Sequence, residues 1–341
     1  MGAFQGALAN LTAPELGACA IAAAMAQAGL KGEQIDEAYI GNVLSDGVGQ
    51  APARQAALKA GLPESVPCTT VNKVCGSGMK AVMLAHDLIK AGSAQAVIAG
   101  GMESMTNAPH LLNGSRTGIR FGNGELLDHM AWDGLTNPAD GKAMGVFGDA
   151  ACAKYGFDRA AVDAFSTESV KRAQAAQASG AFAAEITPVT VKTRKGEVVV
   201  DKDEEPGKID TAEVPDLRAA CGKEGVLTTA SSSKITNGAA ARVVMSAEAA
   251  AAAGAAPLAR FVAHATHAQA PEWFTTAPVG AIEKLLKQVG WTVADVDLFE
   301  INEAFAVVAL TPINESGLPH DTVNVHAGAT HPGPPFAPPA A

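Results

Sequence analysis

The chain has 341 residues, of which 48% are hydrophobic and 18% are charged. This composition argues against a disordered protein and allows two or three domains with a sizeable core. The net charge of −10 argues against general nucleic-acid binding and against attachment to an anionic membrane surface. No apolar run reaches about 18 residues, so the sequence predicts no membrane span.

Helices and short apolar strands alternate over the first hundred residues. Thr12 and Pro14 predict the start of an alanine-rich helix, and Gly29 predicts its end. Further strands are predicted at 35–40, 69–74 and 94–99, and further helices at 51–60 and 79–88. Such alternation is typical of βαβ units, so an α/β fold with a largely parallel sheet is expected.

The turn between the 69–74 strand and the following helix contains Cys75-Gly76-Ser77-Gly78. A thiol at a helix N-terminus is expected to have a lowered pKa and to serve as a nucleophile, while free backbone N–H groups hold an oxyanion. A small buried hydrophobic residue is the alternative interpretation, and the residues alone leave both open.

The other cysteines are scattered, and their count bears on location. The five cysteines are an odd number in a long chain, which predicts reduced thiols and a cytoplasmic setting. No spacing of cysteine and histidine indicates a metal site, so none is expected.

The stretch 106–229 is more polar and irregular than the rest, which indicates an inserted domain. It contains a predicted helix at 159–177 and a predicted hairpin at 186–200, with its turn at Lys195-Gly196. The loop at 228–238 is rich in small hydroxyl residues, which predicts either a backbone wall for a ligand or a simple turn.

The chain then repeats itself, and the repeat is interrupted. Gly-Leu at 29–30 matches Gly-Trp at 290–291, and Ile-Asp at 35–36 matches Val-Asp at 296–297 at the same spacing. Further on, Gly-Leu-Pro at 61–63 recurs at 317–319, and Thr-Val-Asn at 70–72 recurs at 322–324. The proline-rich end at 327–341 cannot continue as a helix. The repeat predicts a duplicated α/β half, the second copy being incomplete.

Several motifs together resemble the thiolase family, and the closest branch is acetyl-CoA acetyltransferase. They are the stretch from Val71 to Val82, the glycine-rich stretch 99–105, and Asn302-Glu303-Ala304-Phe305. The resemblance implies a five-layered αβαβα fold of two duplicated halves with an inserted loop domain. It divides the chain into 1–105 plus 230–256, the loop domain 106–229, an incomplete C-terminal half 257–326 and an aberrant tail 327–341.

The resemblance also implies a chemistry. Cys75 would take an acyl group from coenzyme A, and Asn302 would hold a water that stabilises an enolate. Contacts to coenzyme A would come from Ser233, Met144, Ala304 and Phe305. Coenzyme A thioesters would be the substrates, with no permanent cofactor, and a homodimer or homotetramer is implied.

Other positions depart from the family pattern. His331 is the candidate for the family's activating histidine, but the glycine that precedes this histidine in the family is absent. No cysteine follows Cys221, so the family's second catalytic thiol has no counterpart. Ala143 and Ser231 stand where relatives have histidine and asparagine, and the first strand ahead of Gly2 is expected to be missing. These departures predict truncation at both ends. The alternatives are therefore an inactive, unstable remnant and a 3-ketoacyl synthase, against which Asn302 to Phe305 argue.

Overall fold

The computed structural model describes residues 1–326; the predicted tail and the candidate His331 lie outside the described residues. The α-helices in this part of the chain are α1 (Ala13–Ala28), α2 (Pro52–Lys59), α3 (Ser77–Lys90), α4 (Met144–Tyr155), α5 (Arg159–Ser179), α6 (Ala247–Ala253), α7 (Ala277–Val289) and α8 (Ala306–Glu315). The strands are β1 (Gly2–Ala3), β2 (Glu37–Gly41), β3 (Cys68–Val71), β4 (Ala96–Ser104), β5 (His110–Leu111), β6 (Leu127–Asp128), β7 (Val189–Thr193), β8 (Gly196–Val200) and β9 (Thr236–Met245).

Helix α1 begins and ends where the sequence predicts. The Thr12 backbone N–H donates to the Glu15 carboxylate at 2.8 Å, which satisfies one of the free N–H groups at the helix start. Gly29 ends the helix with φ of 67°, in the left-handed region that glycine adopts without strain. Ile21 is fully buried on the face that packs against the sheet.

The central sheet has five strands in the order β1-β9-β4-β2-β3. Strands β2, β3 and β4 are parallel to one another, as the sequence predicts, but β9 is antiparallel to β4, and β1 is antiparallel to β9. The sheet is therefore mixed, which corrects the expectation of a largely parallel one. All nine residues of β4 are buried, since helices cover both of its faces.

Two central strands approach closely at Gly100. A Cβ atom there would lie 2.1 Å from the carbonyl oxygen of Ala240 on the neighbouring strand β9. Because that oxygen belongs to the backbone of a paired strand, it cannot move aside cheaply.

We therefore expect Gly100→Ala to destabilise the protein by about 2–3 kcal/mol. The free energy of unfolding, measured in urea, tests this. Gly207→Ala is the control, because a Cβ atom at Gly207 meets nothing within 4 Å. Equal stability of the two variants would contradict the close approach.

The predicted repeat is visible in the backbone. Helix α7 ends at Gly290 with φ of 72°, and the Trp291 N–H donates to the Leu286 carbonyl at 3.0 Å, as Leu30 does to Met25 after α1. Short 3-10 turns follow in both copies, at Gly32–Gln34 and Val293–Asp295.

The second copy then departs from the first. Among the described residues it has one isolated parallel bridge, from Phe299 to Val323, in place of a regular strand pair. In the first copy, by contrast, β2 and β3 pair at four positions, from Ala38 opposite Cys68 to Gly41 opposite Val71.

Candidate active site

The Cys75 turn is braced by its own side chains. Strand β3 ends at Val71, before its predicted end at 74, and α3 begins at Ser77, before its predicted start at 79. The Ser77 hydroxyl accepts a hydrogen bond from the Lys73 N–H at 2.8 Å and donates to the Val74 carbonyl at 2.6 Å. Val74 has φ of +48°, a strained conformation for a β-branched residue. The brace thus holds Cys75 in a sharp strand-to-helix turn.

Cys75 is half-buried and packs against a cluster of apolar side chains from four parts of the chain. They come from the loop after β2, from the segment after β4, from the inserted domain and from the hydroxyl-rich loop. The residues are Val43, Leu44, Met105, Ala108, Met130, Leu135 and Ile235. The thiol therefore lies in a weakly polar environment, where electrostatic interactions are stronger than in water.

This environment corrects one prediction. Burial raises the pKa of Cys75 to about 12, the negative charge of Glu103 acts in the same direction, and a backbone hydrogen bond opposes them only in part. The expected lowering of the pKa by the helix N-terminus is wrong, because desolvation of the thiolate outweighs it. The turn therefore supplies a positioned thiol whose pKa is raised.

The raised pKa predicts how Cys75 reacts with iodoacetamide. Only the thiolate reacts, so the alkylation rate should rise about tenfold per pH unit between pH 7 and pH 10. Peptide mapping by mass spectrometry separates this cysteine from the other four. A rate that levels off near pH 7 would show an activated thiol and contradict the prediction.

Glu103 is a buried carboxylate beside this turn that the sequence analysis did not single out. It is fully buried and accepts hydrogen bonds from the Asn42 side-chain amide at 2.8 Å, the Val43 N–H at 2.9 Å and the Leu44 N–H at 3.1 Å. Val43 and Leu44 also belong to the apolar cluster against which Cys75 packs. Glu103 thus fixes the loop that shapes the site. Its only sequence signal was its place in the glycine-rich stretch 99–105, most of which lies in β4.

The hydroxyl-rich loop joins the two halves of the site. The Ser233 N–H donates to the Ala304 carbonyl and the Ala306 N–H donates to the Ser231 carbonyl, each at 2.9 Å. Ile235, two residues after Ser233, packs against the same apolar cluster as Cys75. The loop therefore contacts both the segment of Asn302 and the apolar cluster against which Cys75 packs.

Two side chains of this loop are notable. The Ser233 hydroxyl oxygen is buried and has no hydrogen-bond partner among the described residues. Lys234 donates to the carbonyl oxygens of Thr229 and Ser232, and burial lowers its pKa to about 8. Ser233 is one of the residues predicted from the sequence, whereas Lys234 has no motif of its own and was not predicted.

The remaining predicted contacts are neighbours of this loop. Phe305 lies against the first turns of α4, which begins at Met144: Cβ atoms built at Gly145 and Gly148 would be 3.7 and 3.4 Å from its ring. Ala304 is the residue whose carbonyl accepts from Ser233. Ser233, Ala304 and Phe305 are thus neighbours, and Met144 begins the helix against which Phe305 lies, while their contact with coenzyme A stays a prediction.

Asn302 is held through the residues on either side of it. The buried side chain of Asn324 accepts from the Ile301 N–H at 2.7 Å and donates to the Ile301 carbonyl at 2.9 Å. It also donates to the Glu303 carboxylate at 2.6 Å. These bonds fix the backbone on both sides of Asn302, whose own side chain is partly exposed.

Comparison with known proteins accounts for this arrangement. The thiolase N-terminal domain family matches residues 1–248, and the thiolase C-terminal domain family matches residues 255–339. The chain belongs to the thiolase family, with the fold expected from the sequence. The Acat5 thiolase of Ascaris suum, solved in complex with coenzyme A, superimposes with a TM-score of 0.94 at 37% identity, covering 98% of this chain and 86% of that one.

Curated relatives point to one branch of the family. The chain is 44% identical to an acetyl-CoA acetyltransferase of Schizosaccharomyces pombe, covering 98% of this chain and 86% of the relative. It is 47% identical to an acetyl-CoA acetyltransferase of Chromobacterium violaceum, covering 96% and 84%.

The expectation of a truncated second half is not borne out. The C-terminal family match extends through the proline-rich end to residue 339 and includes the candidate His331.

Among the described residues, no helix is long and apolar enough to cross a membrane.

Proposed function

We propose that this chain catalyses acyl transfer between coenzyme A thioesters, condensing two acetyl-CoA to acetoacetyl-CoA and running the reverse thiolysis. The observation that carries the proposal is Cys75 on its braced turn, joined through the hydroxyl-rich loop to the segment of Asn302. The acetyl-CoA acetyltransferases to which the chain is similar support the choice of reaction. They give no support to the alternative of an inactive remnant.

The first step forms an acyl-enzyme. The Cys75 sulfur attacks the thioester carbonyl, the bond from that carbon to the sulfur of coenzyme A breaks, and the thiol proton leaves with free coenzyme A. The Gly76 and Ser77 N–H groups already donate to the Lys73 and Val74 carbonyls, so N–H groups further along the first turn of α3 would stabilise the developing oxyanion. Because the pKa of Cys75 is raised, the proton must be taken as the bond forms, and His331 is the candidate base.

The second step makes the carbon–carbon bond. The methyl group of a second acetyl-CoA gives up a proton, and the resulting carbanion attacks the acyl carbon on Cys75. The carbon–sulfur bond to Cys75 breaks, and the departing thiolate takes up one proton in place of the one lost from the methyl group, so the step balances. Asn302 holds the water that stabilises the enolate oxygen, while Ser233, Met144, Ala304 and Phe305 contact coenzyme A.

The same proposal includes the setting of the enzyme. Coenzyme A thioesters are its substrates and no cofactor is permanently bound. The chain acts as a homo-oligomer in the cytoplasm, for which five unpaired cysteines are suitable. The domain limits are those given by the sequence, with 106–229 inserted between the two parts of the N-terminal half.

Trapping the acyl-enzyme tests the first step. Incubation with acetyl-CoA should add one acetyl group to the peptide that contains Cys75, detected by mass spectrometry after denaturation. Cys68→Ser should keep the adduct, because Cys68 lies in β3 outside the turn. An acetyl group on another residue, or none, would refute the proposal.

A further inference from the structure

Two histidines and an aspartate converge away from the active site. His86 and Asp87 lie in the second half of α3, while His264 lies in the irregular segment between α6 and α7. The His264 Nε2 atom is 2.7 Å from Asp87 Oδ1, and His86 Nδ1 is 3.6 Å from the same oxygen. One ligand atom from each residue lies within 4.8 Å of the other two.

His86 is the unsatisfied member of the group. Its Nδ1 atom is buried and has no hydrogen-bond partner among the described residues. Its ring stacks on Phe261 at 4.5 Å between centroids and meets His264 edge-on at 5.5 Å, so it is fixed in direction. A buried ring nitrogen without a partner costs free energy, and a bound cation would recover that cost.

We propose that His86, Asp87 and His264 bind a divalent transition-metal ion, with Zn²⁺ as the best match. Two imidazole nitrogens and one carboxylate oxygen are ligands that Zn²⁺ prefers, and water completes the coordination. Mg²⁺ and Ca²⁺ prefer oxygen ligands and match the group poorly.

The position of the site defines its role. His86 lies 11 residues beyond Cys75, about 15 Å along the helix, so the ion is too far away to act on the thiol. It ties α3, which carries the Cys75 turn at its start, to the segment around 264 that lacks regular structure. The role is therefore a cross-link between the two halves, independent of the proposed function.

A second group of possible ligands serves as the comparison. Asp46, His129 and Asp133 also lie close together. There, however, His129 Nδ1 already pairs with Asp133 at 2.5 Å, and its Nε2 accepts from the Asp46 N–H at 3.4 Å. Because both ring nitrogens have partners, this group is the weaker candidate.

Calorimetric titration of the full chain with Zn²⁺ tests the proposal. We expect one ion per chain and a loss of affinity of at least about tenfold in His264→Ala and in Asp87→Asn. The control His110→Ala, at an exposed histidine outside both groups, should bind as the parent does. Far-UV circular dichroism confirms that each variant is folded.

Proteolysis gives a second readout that does not depend on affinity. Arg260 is exposed and lies four residues before His264, so Zn²⁺ should slow tryptic cleavage there in the parent and not in His264→Ala. Unchanged affinity in the variants at 87 and 264 would overturn the proposal. Loss of Zn²⁺ binding in Asp46→Asn alone would also overturn it, because the ion would then lie at the second group. If the parent bound no Zn²⁺, the proposal would be wrong and His86, Asp87 and His264 would form a hydrogen-bonded contact only.

Discussion

Replacing Cys75 by serine is expected to lower the rate of acetoacetyl-CoA thiolysis by about 10⁴-fold or more. The hydroxyl is a far weaker acid and nucleophile than the thiol, and the surrounding apolar side chains disfavour the alkoxide still further. Serine is nearly the same size, so the brace from Ser77 to Val74 should survive. The rate is followed as loss of acetoacetyl-CoA in the presence of free coenzyme A.

Cys68→Ser is the matched control for this experiment. Cys68 lies in β3, seven residues before the nucleophile, and its thiol donates to the Val66 carbonyl at 3.4 Å. It should retain the parent rate within a small factor. If the serine variant at 75 kept a substantial share of activity, Cys75 would not be the acyl carrier.

Replacing Glu103 by alanine is expected to reduce the free energy of unfolding by about 3–5 kcal/mol. The change leaves three N–H donors buried without an acceptor, at Asn42, Val43 and Leu44. It also removes the interaction that fixes the wall beside Cys75, so acyl transfer should fall along with stability. Urea denaturation and the thiolysis rate measure the two effects.

Two variants bracket this effect. Glu103→Gln retains one acceptor oxygen and should lose less stability than the alanine variant. Glu125→Ala, at an exposed glutamate in the inserted domain, should be close to neutral. A loss at Glu103→Ala no greater than at Glu125→Ala would show that the buried carboxylate does not organise the loop.

The features predicted correctly from the sequence depend on neighbouring residues. The limits of α1 follow from Thr12 and Gly29, and the place of Cys75 from the glycines around it. The β7–β8 hairpin follows from Lys195-Gly196, although its turn lies one residue earlier, at Arg194-Lys195. In each case the decisive interaction spans only a few residues, so the pattern is readable in the letters.

The features that were missed depend on distant residues. The antiparallel direction of β9 follows from pairing with β4, nearly 150 residues earlier, which no local pattern encodes. The raised pKa of Cys75 results from side chains contributed by four separate segments. His264 meets Asp87 across 177 positions, so spacing rules for metal ligands could not find the pair.

The mixed sheet has a consequence for how the chain folds. Strand β4 pairs along its whole length with β9, from Ala96 opposite Met245 to Ser104 opposite Asn237. During synthesis, the edge of β4 that pairs with β9 therefore stays unpaired until residue 245 has left the ribosome. The whole inserted domain is synthesised between the two strands. Closing so long a loop slows folding, and an unpaired apolar edge invites aggregation. Biogenesis of this protein should accordingly depend on chaperones that shield the nascent N-terminal half.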